Sequence, residues 1–184
     1  YHWTRLKSAS RQCELLAIEL SAETQVYAWD KVAGDDGFQR ETLFPGLSSE
    51  APVREMVNRV ETTLAQHKPT AVAIPGWVEP GALAALRWCL RTRTPAVMMS
   101  ESVAIYIQQR VWWKEAIKRR IVRLASAGLV GGKSQEDYMA SLGMPRDRMF
   151  HGYNIVDNDH FARQAAEARP QAAALRQQYD LPDN

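Results

Sequence analysis

Short apolar runs alternate with longer amphipathic stretches along this chain of 184 residues. A helix is expected over 3–13, followed by the buried strand Leu15-Leu16-Ala17-Ile18. Residues 21–50 are less regular. Gly34-Asp35-Asp36-Gly37 marks a turn, and a short strand over 41–44 is closed by Pro45-Gly46. A helix over 52–67 carries Pro52 near its first turn and repeats Val53, Met56, Val57, Val60 and Leu64 at helical spacing. Strands follow over 70–75 and 96–99, a third ends at Leu129-Val130, and a fourth is Met149-Phe150. Helices separate them over 80–91, over 104–125 in one or two pieces, and over 134–142. The last has Ser134 as expected N-cap, Asp137 three residues on, and Gly143 at its end.

Strands that alternate with helices predict an α/β, Rossmann-like parallel sheet with helices on both faces. One such domain is expected over 1–161. Residues 162–184 read as a helical connector, rich in Ala, Gln and Arg, with no second core. Tyr1-His2-Trp3 runs straight into a helical pattern, and Leu181-Pro182-Asp183-Asn184 has no closing element. Both ends read as cuts in a longer polypeptide.

Composition narrows the function classes. Hydrophobic residues make up 46% and charged residues 24%, the balance of an ordinary globular domain. A net charge of +2 predicts no nucleic-acid partner from bulk electrostatics. Cys13 and Cys89 read as reduced core thiols without disulfide or zinc spacing, which favours a cytoplasmic compartment. No run approaches the ~18 apolar residues of a membrane span, and no signal peptide is visible.

In an open parallel sheet, ligands bind beyond the carboxyl ends of the strands. The loops to watch are therefore Pro75-Gly76-Trp77, Ser100-Glu101-Ser102, Gly131-Gly132-Lys133-Ser134 and His151-Gly152-Tyr153-Asn154. Gly132-Lys133-Ser134 looks like the end of a phosphate-binding loop. That loop needs a further Gly where Ala127 stands, and 127–130 is itself strand. A tight turn explains the glycines, while Lys133 and the helix start can still meet one anionic group at the cleft edge. Glu101 can orient a sugar hydroxyl, act as a base, or simply neighbour a helix cap. His2, His67, His151 and His160 show no metal-ligand spacing, and no metal site is expected. His67 suits a helix C-terminus. His2 and His151 fall at strand-end loops.

Residues 110–123 carry Arg110, Lys114, Lys118, Arg119, Arg120 and Arg123 against the single acid Glu115. At ~100° per residue, Trp113, Ile117, Ile121 and Leu124 share one stripe that should face the core. Trp112 falls on the far side, close to Arg119 and Arg123. That face is either solvated, with Trp112 under a neighbouring loop, or it meets an anionic membrane through Trp112, Lys118, Arg119 and Arg123.

The order of these segments resembles the N-terminal domain of family 4 glycosyltransferases. Tyr1-His2-Trp3-Thr4-Arg5-Leu6 resembles the helix start after the first Gly-containing loop, whose strand would lie just upstream. Residues 127–138, followed by Leu142-Gly143-Met144-Pro145, resemble the family's strand, small residues, helix and L-G-hydrophobic-P segment. Asn154-Ile155-Val156-Asp157-Asn158-Asp159-His160-Phe161 resembles its N-G-V-D-x-x-x-F crossover, with Ile155 in place of the Gly. The resemblance implies the acceptor-side half of a GT-B fold and retaining transfer of a sugar from a nucleotide-sugar co-substrate to a glycan or lipid-linked acceptor. It implies no cofactor and no required metal. Tyr1, His2, Arg5, Gly76, Trp77, Ser100, Ser102, Gly131, Gly132 and Lys133 are then the expected substrate wall, with Glu101 the candidate catalytic group. The family often places a His in the loop that holds Ser100-Glu101-Ser102, and this chain has none there. The resemblance puts the donor-binding glutamates in the other half, so this half alone is expected to be inactive. It also implies a cytoplasmic enzyme, peripheral on the membrane's inner face if the basic helix docks. The rivals are a sugar-nucleotide epimerase of similar two-domain shape and a non-enzymatic doubly wound binding module.

Overall fold

A computed structural model describes residues 2–21, 37–46, 51–104, 111–180 and 182. Most of the expected turn at 34–37, the start of the expected helix over 104–125, and Tyr1 lie outside the described residues. The elements run α1 (His2–Ser10), β1 (Leu16–Ser21), β2 (Gln39–Phe44), α2 (Val53–His67), β3 (Val72–Pro75), α3 (Pro80–Thr92) and β4 (Ala96–Ser100). They continue with α4 (Trp112–Leu124), β5 (Ala127–Val130), α5 (Lys133–Ser141), β6 (Met149–His151), α6 (Asn158–Ala168) and α7 (Ala172–Gln178). Among the described residues, the six strands pair in parallel, in two sheets: β1 with β2, and the row β3-β4-β5-β6. The protein is an α/β, Rossmann-like fold.

Pairing in the four-stranded sheet is in step. Ile74 lies beside Met98, Met98 beside Gly128, and Gly128 beside Met149. Side chains alternate along a strand and register partners share a face. One face therefore collects Ile74, Ala96, Met98, Ser100 and Val130, all buried. It packs into a single cluster with Met56, Val60 and Leu64 of α2, Leu86 and Cys89 of α3, and Tyr138, Met139 and Leu142 at α5. Each large apolar side chain fully removed from water contributes roughly 1.5–3 kcal/mol. The opposite face is less covered: Val97, Met99 and Leu129 are half-buried, and Phe150 is 60% exposed.

The β1–β2 pair joins the domain through α2. Thr63 Oγ1 donates to Glu41 Oε1 at 3.0 Å, His67 Nε2 meets Glu41 Oε2 at 2.9 Å, and Arg59 donates to the Leu43 carbonyl. Helix α2 ends at Lys68 and α3 at Arg93, both left-handed, each closing the last turn with its own N–H.

Cys13, expected as a core thiol, is exposed, while Cys89 is buried as expected. Two further details differ from the sequence expectation. Ser134 does not cap α5. The helix begins one residue earlier, at Lys133, behind Gly132 in extended backbone and with no side-chain cap. The two-glycine turn lets the chain enter the helix at once, so Ser134 is already inside it. The far end follows expectation. Gly143 takes φ +105°, its N–H bonds the Ala140 carbonyl, and the Met144 N–H reaches back to Met139. That pairing is a Schellman closure.

The second difference is the roll of α4. Trp113, Ile117 and Leu124 do not enter the core; they are 47–49% exposed, and Ile121 is only partly buried. Val122 is fully buried, and Glu115 and Lys118 are partly buried on its side. The cause is Tyr138, 2% exposed, whose hydroxyl needs partners inside the protein. Lys118 Nζ donates to that hydroxyl at 3.0 Å and to Glu115 Oε1 at 2.7 Å. The Tyr138 hydroxyl donates in turn to Glu115 at 3.2 Å. Burial opposes the charge of Lys118, and its hydrogen bonds to Glu115 and Tyr138 outweigh that, so its pKa is raised. Lys118 therefore faces inward and leaves the outward set expected for it.

Gly128 sits where β5 meets α5. A Cβ there would come within 2.5 Å of Met139 Sδ and 3.3 Å of Met149 Cγ. Gly128→Val should destabilise the protein by about 1–3 kcal/mol through overpacking. Urea denaturation measures it, and an unchanged midpoint would contradict this packing.

Candidate functional site

Four parallel strands in step carry their loops to one edge. Pro75 lies beside Met99, Ser100 beside Val130, and Val130 beside His151. With strands about 4.8 Å apart, the starts of the loops after β4 and β6 stand roughly 10 Å apart with the β5 loop between them. The edge gathers Gly76-Trp77, Ser100-Glu101-Ser102, Gly131-Gly132-Lys133 and His151 to Asn154.

Each expected residue takes a distinct place there. Gly76 turns the chain with φ +72°, and its N–H donates to the Met99 carbonyl at 2.8 Å. Among the described residues, no atom beyond its two chain neighbours lies within 4 Å of the Cβ position it leaves empty, so the edge is open to them at this point. Trp77 is 8% exposed and belongs to the core cluster. It is the floor beneath the loop. Ser100 is 5% exposed, and its Oγ accepts the Ser102 N–H at 3.1 Å, which folds that loop back on itself. Glu101 at its apex is exposed.

Arg5 reaches the same edge from α1. Its Nη1 donates to the Tyr153 carbonyl at 2.8 Å, and its guanidinium sits 4.3 Å from the centre of the Tyr153 ring. Tyr153 is 7% exposed, and its N–H bonds the Val130 carbonyl. Arg5 thus ties α1 to the β6 loop. Tyr1 lies outside the described residues. His2 begins α1.

The β5 turn is narrow. A Cβ on Gly131 would lie 2.9 Å from Asn154 Nδ2, so the Asn154 side chain rests over this glycine. Gly132 precedes the helix, and Lys133 opens it. Lys133 Nζ contacts Asp137 Oδ1 at 2.5 Å and Glu136 Oε1 at 3.7 Å. Its charge is already matched within its own helix. Arg146 reaches Glu136 Oε1 at 2.5 Å and Asp137 Oδ1 at 2.7 Å, and His151 Nε2 meets Glu136 Oε2 at 3.0 Å. Two bases, two acids and one histidine thus brace the side of the edge between α5 and β6. The i,i+4 spacing of Lys133 and Asp137 signals half of this cluster. Arg146 and His151 join it only through the Gly143 turn; the strand-end rule places Tyr153 and Asn154 at the edge, but their contacts with Arg5 and Gly131 have no local signal.

Among the described residues, no group of three or more His, Cys, Asp or Glu side chains is arranged to hold a metal ion. A groove of about 440 Å³ lies away from the edge, between β2 and α2, lined by Glu41, Thr42, Asn58, Arg59, Thr62 and Thr63. The edge offers partly exposed backbone at glycines, one exposed carboxylate and hydroxyl groups. These suit hydrogen bonding to a polyhydroxylated or anionic ligand.

No family model matches the sequence, and no curated protein matches it. Solved structures do resemble the chain. S. aureus MnaA in complex with UDP shares 15% identity at a TM-score of 0.45, over 65% of this chain and 34% of that one. The UDP-GlcNAc 2-epimerase from Neisseria meningitidis bound to UDP-GlcNAc gives 15% and 0.44, over 66% and 32%. The UDP-N-acetylglucosamine 2-epimerase from Rickettsia bellii gives 15% and 0.44, over 79% and 36%. This chain spans about a third of the length of each. The likeness is one of layered α/β architecture.

The charge cluster generates a pH dependence. Hydrogen bonds from Arg146 first, then His151, hold the Glu136 carboxyl below its ordinary range. Lys133 first, then Arg146, do the same for Asp137. A carboxyl whose pKa is depressed by folding stabilises the fold above its unfolded pKa, and that contribution fades as pH falls through the folded value. Arg146→Ala should therefore lower the Tm near neutral pH, and the deficit should vanish in acid well below the ordinary carboxylate range of about 4. Thermal unfolding across that span checks it. A deficit independent of pH would assign Arg146 a role other than pairing these acids.

Proposed function

We propose that this chain is the acceptor-side half of a two-domain enzyme acting on a nucleotide-sugar, and that the reaction is sugar transfer to a glycan or lipid-linked acceptor. The observation that carries the reading is the edge itself. Four parallel strands deliver two glycine turns, a serine-rich loop and an exposed carboxylate to one line, backed by Trp77 and tied to α1 through Arg5. Such an edge is where parallel α/β sheets bind ligands. Open glycine backbone admits close approach of a polar ligand, and hydroxyl groups such as Ser102 pair with sugar hydroxyls.

In this reading Glu101 orients an acceptor hydroxyl or takes its proton. Gly76 lets the ligand approach the main chain, and Gly132 does so beside the Asn154 side chain that rests over Gly131. Lys133 is a weaker candidate for phosphate contact than its position promises, because Asp137 and Glu136 already neutralise it. The order of segments from residue 127 to 161 favours transfer over epimerisation. A sugar-nucleotide epimerase of the same two-domain shape is the rival, the class to which two of the solved structures above belong.

One assay separates the two. The full-length protein is incubated with a panel of nucleotide-sugars, with and without acceptor, and the products are followed by NMR. Transfer predicts acceptor-dependent release of nucleoside diphosphate and a new glycosidic linkage. Glu101→Gln should then slow it by about 10²-fold or more if the carboxylate handles a proton. An inverted ring carbon on an intact nucleotide-sugar, without acceptor, would replace transfer with epimerisation. No turnover of any nucleotide-sugar would remove the class.

A further inference from the structure

Helix α4 spans 13 residues, Trp112–Leu124, and turns its apolar stripe away from the core. Trp112 is 81% exposed, and Trp113, Ile117 and Leu124 are close to half exposed. Four large apolar side chains on one helix are more than scattered surface hydrophobics require. Lys114, Arg119, Arg120 and Arg123 flank the stripe and are exposed. The one acid of the helix, Glu115, faces inward to Lys118 and Tyr138. The outward surface of the helix is therefore apolar and basic, with no acid.

Several basic side chains on other elements are paired. Arg87 and Arg91 pair with Glu61, Arg59 with Glu55, and Arg146 with Glu136 and Asp137. Among the described residues, no ion pair engages Lys114, Arg119, Arg120 or Arg123; Lys114 lies instead 5.5 Å from the Trp113 ring centre. We propose that the outward face of α4 seats in the plane of an anionic lipid surface. Trp113, Ile117 and Leu124 would enter the acyl boundary, Trp112 would sit at headgroup depth, and the four bases would pair with lipid phosphates.

The chemistry favours lipid over other anionic partners. A nucleic-acid backbone would satisfy the bases and leave Ile117 and Leu124 in water. An interfacial helix needs both parts together, an apolar stripe and a basic flank. Long basic side chains can lay their stems along the stripe while their heads reach the phosphates. The helix is about 20 Å long and lies flat in this mode. Among the described residues, no helix is long and apolar enough to cross a membrane, so the contact is peripheral. The inference rests on α4 alone and holds whichever reaction the edge serves.

The test is co-sedimentation of the full chain with vesicles of phosphatidylcholine alone and of phosphatidylcholine mixed with phosphatidylglycerol, with tryptophan emission read in parallel. Binding should require the anionic lipid, and the emission should shift to the blue. The double variant Arg119→Glu with Arg120→Glu should weaken binding about tenfold or more, since each basic residue near an anionic surface adds about fivefold. Ile117→Ser with Leu124→Ser should weaken it comparably. Both pairs are exposed, so thermal unfolding should stay where it is. Three results would each overturn the proposal: no pelleting with either vesicle, binding unchanged by both double variants, or a self-association of the chain abolished by the same variants. The last would make this face a contact between copies.

Discussion

The in-step parallel pairing of β4 with β5 is the constraint on which the rest of the structure depends. It sets Met98 beside Gly128 and Ser100 beside Val130. The first pair fixes the core, because only a residue without a side chain at 128 lets Met139 of α5 lie against the sheet. The second pair fixes the edge, because it brings the Ser100-Glu101-Ser102 loop level with the Gly131-Gly132 turn. A slip of one residue would move Met98 and Val130 to the less covered face and pull the two loops out of line. Fold and candidate site are thus two readings of one register.

The same pairing explains why α4 is odd. It bridges β4 and β5, and so must run beside α5, where Tyr138 is buried. A buried hydroxyl without partners costs about 1–3 kcal/mol. Glu115 and Lys118 supply those partners and turn inward to do so. Their rotation forces the stripe of Trp113, Ile117 and Leu124 outward. A local hydrogen-bonding requirement at one tyrosine therefore leaves an apolar and basic surface exposed on α4. The candidate edge and the α4 face arise from adjacent elements of the same fold.

Much of this was legible in the sequence. The positions of β1, α2, β3, α3, β4, β5 and β6 follow from apolar runs and helical spacing, since buried strands and amphipathic helices leave strong local patterns. The carboxyl-edge loops follow from the parallel topology that this alternation implies. Gly143 as helix stop is also local, because a left-handed closure needs it. What escaped depends on distant partners. The roll of α4 could not be read from periodicity, which ranks faces by apolar content and cannot see Tyr138. The division into two sheets, the Arg5–Tyr153 tie and the place of Asn154 over Gly131 each join segments more than 20 residues apart. Ser134 lies two residues past the cap because Gly132 admits the helix early.

The account stands on the claim that the sheet's carboxyl edge is the ligand wall. Hydrogen–deuterium exchange of the full-length protein, with and without a saturating nucleotide-sugar, tests it most directly. The prediction is slowed exchange at residues 76–78, 101–103 and 131–134, with the groove between β2 and α2 unchanged. Protection confined to that groove, around Glu41 and Arg59, would contradict the claim and move the site to the other sheet.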